Sequence, residues 1–135
     1  TIVSIIDRFP FNASFTTATN IGDLSLGKYD TIGNSSSTDG YNAGGTPLTS
    51  GVDNFPFSSP FTTATSTNNL GRAVRQAAGQ NSSSDGHVSG GTDNTPTPGI
   101  QKDRIDSYPF SSPFTTSTDI GNLFVARIRS AGHQG

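Results

Sequence analysis

The chain has 135 residues, of which 30% are apolar and 13% charged, and eight cations against ten carboxylates leave a net charge of −2. Both fractions lie below those of an ordinary globular domain, and the difference is made up by Ser, Thr, 16 Gly and 8 Pro. This composition excludes a basic nucleic-acid surface and a membrane-spanning helix, and the lack of Cys excludes disulfides, thiolate metal sites and a cysteine nucleophile.

In chain order, Ile6-Asp7-Arg8-Phe9-Pro10-Phe11 predicts a strand, and the Thr-rich tract from Phe15 to Leu24 a second. Residues 28–33 predict a third strand ending at Gly33. The Ser-rich turn Asn34-Ser35-Ser36-Ser37-Thr38-Asp39-Gly40 leads into a fourth, Tyr41-Asn42-Ala43-Gly44-Gly45. Asp39-Gly40 suits a tight turn because glycine tolerates positive φ. The paired glycines suit a close backbone approach.

The order then repeats. Val52-Asp53-Asn54-Phe55-Pro56-Phe57 and Ile105-Asp106-Ser107-Tyr108-Pro109-Phe110 match the first motif. Phe61 and Phe114 match Phe15, Leu70 and Leu123 match Leu24, and Gly79 and Gly132 match Gly33. Asp85-Gly86-His87-Val88-Ser89-Gly90-Gly91 matches the double-glycine strand. The motif prolines are 46 residues apart (Pro10 to Pro56) and then 53 apart (Pro56 to Pro109). The extra seven residues fall within 92–99, in a Pro/Gly/Thr-rich stretch that reads as a loop grown without disturbing the packed units. The chain divides into one array of repeats at about 6–51, 52–104 and 105–135 with 1–5, and a long loop at 92–104. Apolar residues do not recur at helical spacing, so the predicted class is all-β.

A period near 46 with four short antiparallel strands is the pattern of a β-propeller blade. One such sheet buries little apolar area and must lean on a neighbour to exclude water. Phe9, Phe11, Phe15, Phe55, Phe57, Phe61, Tyr108, Phe110 and Phe114, with Leu24, Leu70 and Leu123, form the predicted packing set between sheets. About three blade equivalents are too few to close a ring. The chain is therefore expected to complete itself by association, as two chains in a ring or as a filament.

The double-glycine strand, the following Ile-Asp-x-Phe/Tyr strand, and a leucine with a basic residue before the next unit resemble the kelch repeat. More narrowly, Ile6-Asp7-Arg8-Phe9-Pro10-Phe11, Ile21-Gly22-Asp23-Leu24 and Ser-Ser-x-Asp-Gly-x-x-x-Gly-Gly are similar to the degenerate kelch-like repeats of tailed cyanophage and marine-phage virion proteins. The resemblance implies a propeller-type fold and a structural or adhesive role, such as that of a tail fibre, on a virion or outside the cell. The tryptophan of the common kelch blade is absent.

No catalytic set emerges. His87 and His133 hold different repeat positions, and no Gly-x-Ser-x-Gly turn exists. No Asp-x-Asp-x-Asp-Gly run predicts calcium, and neither a metal nor a cofactor is expected. Asp7, Asp53 and Asp106 recur in every copy and read as structural carboxylates that bond backbone N–H groups at a junction. The candidate ligand set is Asp39, Tyr41, Asn42, Asp85 and His87, where aromatic rings and polar groups beside the Ser-rich turns suit a surface glycan. Gly44, Gly45, Gly90 and Gly91 are structural candidates. The cations read as scattered. The expected function is a non-enzymatic structural or adhesive module. A glycan-binding lectin propeller and an extracellular filament subunit are the alternatives.

Overall fold

The computed structural model describes residues 2–12, 14, 16–58, 63–111 and 116–132, with Thr67 through its backbone only. Among these residues there are ten strands and no helix. The strands are β1 (Ile5–Arg8), β2 (Thr19–Asp23), β3 (Ile32–Ser35), β4 (Asp39–Ala43), β5 (Gly51–Pro56), β6 (Thr65–Asn69), β7 (Ala78–Asn81), β8 (Asp85–Ser89), β9 (Arg104–Pro109) and β10 (Thr118–Asn122). They form three antiparallel sheets: the ribbon β1-β2 and two meanders, β3-β4-β5-β6 and β7-β8-β9-β10. The meanders begin at Ile32 and Ala78. The sequence repeats as divided above are thus out of phase with the sheets, cutting each one between its second and third strands.

Three of the four strands per repeat lie where the sequence places them. The strand predicted after the leucine starts later, at Ile32 and Ala78 rather than at 28 and 74. The cause is a left-handed residue inside the predicted run: Asp30, Gln76 and Arg129 all have φ between 55° and 57°. Each holds the same place after its leucine. A residue in that conformation turns the chain out of an extended strand.

The repeats stack in register. A parallel bridge joins Asp23 to Thr63, and its counterpart joins Asn69 to Thr116. Gln76 donates its N–H to the Asp30 carbonyl (3.1 Å), and Arg129 donates its own to Gln76 (2.8 Å). Gly45 donates to the Val74 carbonyl, and Gly91 to the Arg127 carbonyl, both at 2.8 Å. The double glycines make these last contacts possible. Gly44 and Gly90 take φ of 61° and 70°, and a Cβ at either would overlap the Val74 or the Arg127 carbonyl oxygen.

The core lies where the two complete meanders face each other. Ile32, Tyr41, Ala43, Val52, Leu70, Val74, Val88 and Tyr108 form one cluster, with Ala77 and Phe110 packed against it. Burying Tyr108 completely contributes about 2–3 kcal/mol. The predicted packing set holds in the middle and fails at the ends. Tyr108 and Leu70 are buried, whereas Phe57 is 42% exposed, Phe9 46% and Phe11 96%. Phe55, Phe110, Leu24 and Leu123 are partly buried. The exposed members belong to the first repeat or face it, where only the ribbon β1-β2 stands in place of a full sheet. Phe15, Phe61, Phe114 and His133 lie outside the described residues.

The buried Tyr108 hydroxyl bonds the Asn34 side-chain oxygen (2.9 Å). Burial, and then the nearby Tyr41, push this hydroxyl far above the ordinary tyrosine range. The unfolded chain therefore ionises first, near pH 10. Stability is full below that pH and falls as pH rises above it. Unfolding by urea at a series of alkaline pH values is expected to show this loss, and Tyr108→Phe is expected to reduce its slope.

Candidate functional site

The predicted ligand residues do not converge. Asp39 closes the Ser-rich turn: its N–H bonds the Ser36 hydroxyl (3.0 Å), and its carbonyl accepts from the Ser36 N–H (2.9 Å). Asp85 repeats the arrangement with Ser82. Their carboxylates each accept a hydroxyl, from Thr38 and Ser84, so both serve the turn. Tyr41 is 8% exposed and stacks on Phe110 at 4.7 Å, and so belongs to the core rather than to a solvent-facing sugar platform. Burial, and then the Asp39 charge, raise its hydroxyl pKa, against opposing hydrogen bonds from Ser36 and Asn54. Asn42 follows Tyr41 in the strand and so faces the other side of the sheet, where its amide donates to the Thr31 hydroxyl (3.0 Å). His87 holds the Tyr41 position of β8, and its buried Nδ1 has no hydrogen-bond partner.

Two of the recurring aspartates, Asp53 and Asp106, meet partners that are mainly cations rather than backbone N–H groups. Asp53 is buried and pairs with the Lys28 ammonium at 3.2 Å, while accepting the Ser25 hydroxyl at 2.5 Å and its N–H at 3.3 Å. Asp106 is fully buried between two guanidiniums: Arg72 Nε reaches one carboxylate oxygen at 2.9 Å, and Arg104 reaches the other at 2.6 Å. Each junction ties a sheet to the segment that precedes it. Asp7, the third member, is exposed. Reading the cations as scattered misses these pairs. The available signal is the basic residue shortly after each leucine, Lys28 after Leu24 and Arg72 after Leu70.

The second junction opens into a cleft of about 470 Å³, lined by Arg72, Asp93, Lys102 and Arg104 with Leu48 and Thr95. One wall is the grown loop, pinched at its neck by a Thr92–Gln101 bridge. Asp93 accepts the Thr95 N–H (2.8 Å) and pairs with Lys102 (3.2 Å), which also donates to the Thr95 carbonyl. Burial alone would push the Asp93 carboxyl up, but the Thr95 N–H, the Lys102 ammonium and the Thr95 hydroxyl outweigh it and hold it below its usual range. Arg72 Nη1 is buried 3.9 Å from Asp93 and makes no hydrogen bond. Three cations line the cleft against the Asp93 carboxylate, with Asp106 buried behind Arg72 and Arg104, so its charge is mixed with an excess of positive groups. Among the described residues no cluster of three His, Cys, Asp or Glu side chains is placed to hold a metal.

Ile5, Phe9 and Phe11 are exposed on or just after β1, and Ile120, Phe124 and Val125 on or just after β10. At one end stands Asp7, and at the other Arg127, which occupies the Lys28 position of its repeat. No helix among the described residues is long and apolar enough to cross a membrane. No protein-family model matches the chain, and no curated protein matches it.

Proposed function

We propose that this chain is a non-enzymatic structural or adhesive β-repeat module, exposed on a virion or outside the cell, that works by packing sheet on sheet into a longer array. In this reading each four-stranded meander is a kelch-like, propeller-type blade, and copies join head to tail as a ring of two chains or as a filament. The observation that carries the proposal is that each end exposes a surface that is a contact in the middle. Gly79 receives the Gly33 carbonyl, and Gly132 receives the Gly79 carbonyl. Gly33 itself has open space where its side chain would be. By the same translation, Gly132 of one copy meets Gly33 of the next, and Arg127 reaches Asp7 as Lys28 reaches Asp53. Exposed apolar faces at both ends supply the driving force.

Gly33→Ala tests this cleanly, because the added methyl touches nothing within the chain. Wild type is expected to show dimers or polymers by light scattering, and Gly33→Ala to remain monomeric with a melting temperature no lower than that of dilute, monomeric wild type. A wild-type chain that stays monomeric into the upper micromolar range refutes the proposal.

A further inference from the structure

Strand β1 uses one of its two hydrogen-bonding edges. Its equivalents use both. β5 pairs with β6 through residues 51–54 and with β4 through residues 52–56. β9 pairs with β10 through 104–107 and with β8 through 105–109. β1 pairs with β2 through 5–8, with the same register shift after its second residue, and among the described residues has no partner strand on its other side. It stops at Arg8, two residues short of Pro10. The equivalent Phe55 and Pro56 are extended because Gly40 and Asp39 pair with them.

The two complete sheets also show what chemistry such a neighbour has. Gly40 lies beneath the Phe55 ring and Gly86 beneath the Tyr108 ring, and a Cβ at either would overlap the ring. The residue after Gly40 is Tyr41, which crosses to the next sheet and stacks on Phe110. Phe110 stands edge-on to Tyr108 at 6.0 Å, and Phe57 stands edge-on to Phe55 at 6.2 Å. Phe57 is therefore the matching half of an aromatic stack, and it is 42% exposed. The exposure of Phe9, the early end of β1 and the exposure of Phe57 all follow from one strand position.

We infer that the open edge of β1 accepts one extended strand of the pattern Asp-Gly-Tyr-x-x-Gly-Gly, supplied by another molecule that carries this repeat. This deepens the assembly reading and rests on it, since in an array of such sheets a strand of this pattern stands beside each equivalent of β1. The strand runs antiparallel to β1. Its Asp lies opposite Pro10, its Gly beneath Phe9, its Tyr opposite Arg8 and against Phe57, and its next two residues opposite Asp7 and Ile6. Backbone pairing supplies affinity and the Gly-Tyr step supplies selectivity. A side chain in place of the Gly clashes with a ring. Loss of the aromatic leaves Phe57 wet.

The test uses the full chain, diluted to its monomeric concentration, and a synthetic peptide with the sequence of residues 34–46. Saturable binding is expected, with amide exchange slowed within residues 5–9 and in no other strand edge. A peptide carrying Gly40→Val is expected to bind at least about tenfold more weakly, a loss readable directly in the dissociation constant. Absence of binding, protection at β6 or β10 instead, or equal binding of the Gly40→Val peptide overturns the inference. The two proposals fail separately. Peptide binding by a chain that never self-associates sinks the assembly reading alone, and self-association without peptide protection of β1 sinks the strand acceptor alone.

Discussion

Gly79→Ala is expected to destabilise the chain by about 3 kcal/mol or more, through overpacking against backbone that cannot step aside, whereas Gly33→Ala, at the same place one repeat earlier, is expected to be neutral or slightly stabilising. A Cβ on Gly79 would overlap the Gly33 carbonyl oxygen and press on Ile32 Cγ2 at 3.0 Å. Both atoms belong to β3, which is held on its other side by β4. A Cβ on Gly33 meets nothing within 4 Å. There the methyl only restricts the unfolded chain, a gain of up to about 1 kcal/mol. Urea titration of the two variants checks the pair, and equal midpoints would show that β3 and β7 do not face each other as described.

The second large effect falls on the recurring aspartate. Asp106→Asn is expected to cost about 3–5 kcal/mol, because it strands a buried guanidinium. The Arg72 side chain is only 9% exposed, and what remains to it are the backbone carbonyls of Gly90 and Arg104 and, beyond hydrogen-bond reach at 3.9 Å, the Asp93 carboxylate. Asp7→Asn changes the same motif residue on an exposed strand and is expected to move stability by less than about 0.5 kcal/mol. Replacing Arg72 and Asp106 together with apolar residues of similar size is expected to recover most of the loss, since a buried ion pair stabilises little beyond a well-packed apolar pair. Thermal melts of the two single variants and the double variant read all three outcomes. A large loss from Asp7→Asn would mean that the repeat, rather than burial, governs the residue.

Much of this architecture is legible before any coordinates. The period, the all-β class and three of the four strands per repeat follow from turn residues and the recurring motif. The strand after the leucine is displaced because Gln76 and Arg129 adopt a left-handed conformation that their residue types do not announce. Tyr41 reads as a ligand residue because it follows a polar turn, and its true partner is Phe110, 69 residues further on. Only packing between sheets reveals that contact. The ionic junctions escape sequence reading for a related reason: Lys28 and Arg72 stand at repeat positions two residues apart, so the cation does not line up with itself while its aspartate does. Exposure of Phe9, Phe11 and Phe57 is a matter of which sheets are complete, and no residue pattern encodes that.

The two parallel bridges between repeats run the same way: the Asp23 and Asn69 carbonyls accept from Ala64 and Ser117 in the following repeat. A stack built on such contacts has a polarity, like an arrow. In the proposed assembly the leading face of one copy therefore meets the trailing face of the next, rather than its like. Growth would proceed by adding one kind of end to the other, and a copy spoiled at its leading face would still be captured by its trailing one, acting as a terminator.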